Sequence, residues 1–137
     1  MLEGLLQNNS LPLLEKVVDF TQTRHGLLAG NIANMDTPGY RGRDLDTVGF
    51  AEQLKEFAAA QRTGDISSQA SGFADLRKPG ADTADMSWAN LTRHDEADIG
   101  LEQQISRISK NQMEHNLAMT LMTSQFRLLQ AAISEKP

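Results

Sequence analysis

Three histidines, one acidic run and a handful of methionines are the side chains of this 137-residue chain that suit metal or redox chemistry. His25, His94 and His115 lie far apart in sequence. The residues three before them are Gln22, Leu91 and Gln112, so none has the carboxylate that helical-bundle metal sites place at that spacing. Asp95, Glu96 and Asp98 offer oxygen ligands but no calcium-type loop. Just ahead of an apolar periodic segment, they read as a helix start favoured by the macrodipole. The absence of cysteine excludes disulfide and thiolate chemistry. No HExxH, phosphate-binding glycine loop, dinucleotide fingerprint or nucleophile elbow is present. Met119 and Met122 sit at helical spacing, where core packing is the simpler use of a thioether. We expect no catalytic residue, no cofactor and no metal ligand, and hence no enzyme.

The informative stretch shapes the backbone instead. Ala29-Gly-Asn-Ile-Ala-Asn-Met-Asp-Thr-Pro-Gly-Tyr40 closes an amphipathic N-terminal segment. Asn34 is a suitable helix stop because its short amide tolerates the left-handed conformation of a C-terminal cap. Thr37 precedes proline and is biased toward extended backbone. Pro38 and Gly39 supply the fixed negative φ and the positive φ of a type II turn. Tyr40 follows as an anchor with an apolar ring and a polar tip.

Two long elements flank this turn. From Leu11 to about Ala33, residues Leu14, Val18, Thr21, His25, Leu28 and Ile32 follow 4-3-4-3-4 spacing, broadened by Leu13, Val17, Phe20 and Leu27. Ser10 is placed to cap this helix, with Pro12 in its first turn. Gly26 and Gly30 weaken it by about 1 kcal/mol each relative to alanine. They either admit a neighbouring backbone or are simply tolerated near the helix end. In the C-terminal segment, Leu101, Ile105, Ile108, Gln112, His115, Met119, Met122, Phe126, Leu129 and Ile133 keep an unbroken 4-3 alternation. A seven-residue repeat sustained this long predicts a coiled-coil-like seam roughly 50 Å in length. The polar members Thr21, His25, Gln112 and His115 either set register or face solvent.

Between these segments a shorter helix is expected over about 47–62, with Phe50, Leu54, Phe57 and Ala58 on its apolar face, ending at Thr63-Gly64. Residues 65–95 have no sustained period and read as a loop-rich insert with a candidate short strand pair, and residues 1–10 as a mobile lead. The fold class is thus mainly α: long N- and C-terminal amphipathic helices pairing as a helical hairpin, with a shorter helix and a loop-rich middle. Three regions follow: 1–40 with the N-terminal helix and exit turn, 41–97 facing outward, and 98–137 with the C-terminal helix.

Charge supports that division. Of the net −5, residues 36–100 account for −5, while 1–35 carry −1 and 101–137 carry +1. Nearly neutral ends suit association and an acidic middle suits solvent. An acidic balance without a basic cluster argues against nucleic acid as the main partner. No apolar run approaches the roughly 20 residues of a transmembrane helix, and residues 1–10 lack the pattern of a cleaved secretory signal. The two terminal stripes are broader than one neighbouring helix can cover. Full burial of a Leu, Ile or Met side chain is worth roughly 1.5–3 kcal/mol, so partners are implied.

Asn31-Ile-Ala-Asn34 followed by Thr37-Pro-Gly-Tyr40-Arg41, with the continuation Arg41-Gly-Arg-Asp-Leu-Asp46, resembles the bacterial flagellar basal-body rod protein family. Lys110-Asn111-Gln112 and the amphipathic stretch after it are similar to that family's C-terminal helix. The resemblance implies a structural subunit of the proximal rod, assembling with other axial proteins into a hollow, torque-transmitting shaft around an export channel. It implies that Asn31, Asn34, Thr37, Pro38, Gly39 and Tyr40 form an assembly turn. Leu14, Val18, Leu28, Ile32, Leu101, Ile105, Ile108, Met119, Met122, Phe126, Leu129 and Ile133 are expected to form the packing seam. Implied partners are other rod proteins, the membrane-ring adaptor, further copies of the chain and the flagellar type III export apparatus. The implied location is the periplasm-spanning basal body, reached without a cleaved signal. The alternative reading is a soluble coiled-coil adaptor that dimerises through its C-terminal helix.

Overall fold

The computed structural model describes residues 10–63 and 100–134. The expected mobile lead, the loop-rich stretch 65–95, His94 and the acidic start at Asp95, Glu96 and Asp98 lie outside the described residues. Within them the chain forms three helices and no strand: α1 over Leu11–Ala33, α2 over Thr47–Thr63 and α3 over Leu101–Ser134. The long N- and C-terminal helices pack against each other, as the periodicity predicts.

α1 starts where Pro12 occupies the first turn and Leu14 N donates to Ser10 O at 3.0 Å. A proline there loses no hydrogen bond, because first-turn N–H groups have no helical acceptor. Ser10 itself takes helical angles, φ −77 and ψ −3, and its hydroxyl makes no capping bond. The start therefore rests on proline rather than on the expected serine cap.

α1 presents two adjacent lines of side chains, each in 4-3 spacing. Leu13, Val17, Phe20, Arg24, Leu27 and Asn31 form the line toward the exit turn and α2. Phe20 stacks on Phe50 of α2 with ring centroids 3.8 Å apart and planes 7° from parallel. Leu45 and Phe57 complete that buried cluster, with Leu13, Val17, Leu27 and Leu54 packed around it. The second line is shifted by one residue and runs Leu14, Val18, Thr21, His25, Leu28 and Ile32. Thr21 on this line bonds α3. Open space surrounds Gly26 and Gly30, so no neighbouring backbone uses their lack of a side chain.

α2 begins at an acidic cap that the sequence reading passed over. Asp46 Oδ1 accepts the backbone N–H groups of Val48 at 3.1 Å and Gly49 at 2.9 Å. These are two of the donors a helix start leaves unpaired.

The aromatic stack is the main apolar contact joining α2 to α1. Phe50→Ala is expected to lower stability by about 3–5 kcal/mol in chemical denaturation. Val48→Ala, at a side chain 69% exposed two residues earlier, should stay within about 0.5 kcal/mol of wild type.

Candidate functional site: an exit turn tied to α1 and a polar helix seam

α1 ends at Asn34, but not in the left-handed conformation the sequence suggested. Its angles are φ −106 and ψ 11, and its side chain caps the helix instead. Asn34 Nδ2 donates to Gly30 O at 2.8 Å, and its backbone N–H reaches the same carbonyl at 3.1 Å. Thr37 N then donates to Asn34 O at 3.0 Å, and Tyr40 N to Thr37 O at 3.1 Å. This last bond closes a turn with Pro38 and Gly39 at its centre. Gly39 has φ 75, the positive angle a type II turn needs at that place. Thr37, Pro38 and Gly39 are exposed. A Cβ added at Gly39 meets nothing within 4 Å, so the cost of another residue there is conformational, on the order of 1–2 kcal/mol.

Asn31 fixes the returning chain. It is 1% exposed, and its amide pairs with Arg43 through both backbone groups. Asn31 Nδ2 donates to Arg43 O at 2.7 Å, and Arg43 N donates to Asn31 Oδ1 at 2.9 Å. Tyr40 Oη donates to the same Oδ1 at 3.1 Å. Two turns below, Arg24 grips Asp44 side-on: Nε to Oδ1 at 2.7 Å and Nη2 to Oδ2 at 2.8 Å. Asp44 Oδ1 also accepts the Leu45 N–H at 2.8 Å. The hydrogen bond to Asp44 raises the Arg24 pKa above its ordinary value. Burial opposes this, and the charges of Asp44 and Glu114 reinforce it. A raised folded-state value stabilises the fold below the unfolded arginine range and fades only as pH climbs through the folded value. Arg24 therefore stays charged and paired at neutral pH.

Along α3, the side chains turned inward are Gln104, Ile108, Asn111, His115, Ala118, Met122, Gln125 and Leu129, again in 4-3 order. Gln104, Asn111 and Ala118 are buried. Asn111 Nδ2 donates to Thr21 O at 2.8 Å, and His115 Nδ1 lies 2.9 Å from Thr21 Oγ1. Of the residues expected in the seam, Leu28 is fully buried. Leu14, Val18, Ile32, Ile108, Met122 and Leu129 are half-buried. Leu101, Ile105, Met119, Phe126 and Ile133 are exposed. The line 105, 112, 119, 126 and 133 is replaced at the contact by the line one residue earlier, 104, 111, 118 and 125. Gln112 and His25 are likewise exposed, and Gln112 bonds Asn116 on its own helix at 3.0 Å.

Arg24 and Gln104 escaped the sequence reading, and Asp44, Asp46 and Asn111 entered it only within the resembling motifs, with no role of their own. Arg24 carried a usable signal, since it falls on the same 4-3 line as Phe20 and Leu27. Among the described residues no group of three or more His, Cys, Asp or Glu side chains could hold a metal ion. None of their helices is long and apolar enough to cross a membrane.

An asparagine-anchored exit turn joins α1 to α2, and comparison with known proteins shows what the chain is similar to. The chain is 27% identical over 133 residues to the flagellar basal body rod protein FlgB of Proteus mirabilis strain HI4320, covering 93% of this chain and 95% of that one. It is 24% identical over 124 residues to FlgB of Salmonella typhimurium, covering 86% and 88%. It is also 54% identical to FlgB of Aquifex aeolicus over 33 residues, covering 24% and 27%. No family model and no solved structure matches. The chain is related to the flagellar basal body rod proteins. Among those, the relatives it matches along most of its length are the FlgB proteins.

The Arg24–Asp44 pair is expected to behave as a buried unit. Asp44→Ala should cost about 3–5 kcal/mol by leaving the guanidinium charge unpaired. The double variant Arg24→Met, Asp44→Leu should cost less than Asp44→Ala alone, as a double-mutant cycle on denaturation midpoints would read. Tyr40→Phe, which loses one neutral hydrogen bond, should cost about 1 kcal/mol.

Proposed function

We propose that this chain is a structural subunit of the bacterial flagellar basal-body rod, of the proximal, FlgB kind. The observation that carries this reading is the uncovered apolar outer face of α3. Of the ten large apolar side chains exposed among the described residues, nine lie on α3. Its contact with α1 runs along a line that begins Gln104, Asn111 and Ala118. A helix roughly 50 Å long that turns Leu101, Ile105, Met119, Phe126 and Ile133 outward is built to be covered by neighbours. Full-length similarity to proteins named for the rod supplies the identity of the assembly.

On this reading α1 and α3, within regions 1–40 and 98–137, form the inner wall of a hollow shaft around the export channel. Region 41–97 lies outward. The turn from Asn31 to Tyr40 touches adjoining subunits and stiffens the shaft for torque. The partners are copies of the chain, other rod proteins and the membrane-ring adaptor. The subunit reaches the periplasm-spanning rod through the flagellar type III apparatus. It performs no catalysis and needs no cofactor.

A tagged copy should co-purify with basal bodies and lie in the rod; its absence there would end this proposal. Phe126→Asp, at a side chain 56% exposed in the single chain, should leave its circular dichroism unchanged yet abolish swimming when it is the sole copy. Gly39→Val should also block assembly, because a β-branched residue is strongly disfavoured at positive φ. A discrete closed dimer in sedimentation without rod partners would favour the coiled-coil adaptor instead.

A further inference from the structure

His25 and His115, remote in sequence, line one cleft of about 290 Å³ between α1 and α3. Thr21, Gln22, Asn111 and Gln112 complete its lining, so every residue around the cleft carries a polar group.

Hydrogen bonding fixes where the His115 proton sits. Thr21 Oγ1 lies 2.8 Å from Val17 O, 3.0 Å from Val18 O and 2.9 Å from His115 Nδ1. A hydroxyl has one hydrogen, and a carbonyl can only accept. Two carbonyls of α1 take that hydrogen, so His115 Nδ1 donates across the seam to the threonine oxygen. Neutral His115 then keeps its lone pair on Nε2. Metal-binding histidines are held in this manner, with the second ring nitrogen donating to a fixed oxygen.

Asn111 adds an independent feature. It is 1% exposed, and its Nδ2 donates to Thr21 O at 2.8 Å, which settles the orientation of the amide. Its Oδ1 is buried and finds no donor among the described residues. A buried acceptor without a donor calls for a water or an ion. His25 is exposed and lines the same cleft.

We infer that this cleft binds a divalent transition-metal ion such as Ni²⁺ or Zn²⁺, through the imidazoles of His25 and His115 with the Asn111 amide oxygen as a third donor. Two imidazole nitrogens select these ions over Mg²⁺ and Ca²⁺, which take oxygen donors. An ion held there ties α1 to α3 and stabilises the pair by mass action. The site goes beyond the rod assignment and does not depend on it.

The test is calorimetric titration of the full chain with Ni²⁺, repeated with Zn²⁺, alongside long-range ¹H–¹⁵N spectra of the imidazoles. We expect saturable binding of one ion and an Nδ1–H tautomer for His115 in the metal-free chain. His25→Ala, at an exposed position, should weaken binding at least about tenfold with unchanged circular dichroism, and His115→Ala at least as much. Thr21→Val, which removes the oxygen that orients His115, should cost about 10–100-fold. His94→Ala should bind as wild type. No saturable binding, an Nε2–H tautomer at His115, wild-type affinity in His25→Ala, or loss of binding in His94→Ala would each overturn the assignment.

Discussion

A single carboxamide stands in for a stretch of backbone at the centre of this fold. Asn31, buried on α1, offers Arg43 one donor and one acceptor, as a neighbouring strand would. That pair of hydrogen bonds fixes how far the chain has turned after it leaves Tyr40. The Arg24–Asp44 pair then has its register, and Phe50 arrives where it can stack on Phe20. Without Asn31 the turn could still form from Pro38 and Gly39, but nothing would direct the exit. Neither aspartate nor leucine could substitute: one lacks the donor, the other both groups.

α1 is the shared element. Its two 4-3 lines serve different purposes, and they differ in chemistry accordingly. The line toward α2 mixes apolar packing with a buried ion pair and gives the turn a fixed seat. The line toward α3 combines buried Leu28 and half-buried Val18 with polar bonds among Thr21, Asn111 and His115. α3 therefore joins the subunit partly by directional bonds, while its greasier flanks stay free for neighbours. A subunit that must be recruited into an assembly benefits from that division. Its own helices have one specified pairing, and the larger apolar area remains to reward incorporation.

Much of this was legible from residue order. The three helices, their approximate limits and the Pro38-Gly39 turn follow from periodicity and turn chemistry. Asn31 and Tyr40 were singled out through resemblance, and the structure adds their partner, Arg43. The rotation of α3 was not legible. Apolar periodicity finds the greasiest face of a helix, and here that face is not turned to α1. Gln104 and Asn111 are polar by type and look like surface residues until a partner carbonyl, such as that of Thr21, is known. Asn34 misled for a related reason: a residue able to take left-handed angles need not do so when its side chain can cap the helix directly. Asp44 lay hidden because a carboxylate just after a turn is usually solvated, and only the fold brings Arg24 to it.

The seam through Thr21, Asn111 and His115 has a calorimetric consequence. Heat capacity change on unfolding grows with apolar surface newly exposed to water and shrinks with polar surface. A hairpin joined partly through amides and a hydroxyl, with its greasy flanks already wet, has less apolar area left to expose along α3 than an all-apolar seam would. The free chain is thus expected to have a flatter stability curve than a fully apolar hairpin of this length. Covering those flanks would steepen it toward the temperature dependence of a large apolar core.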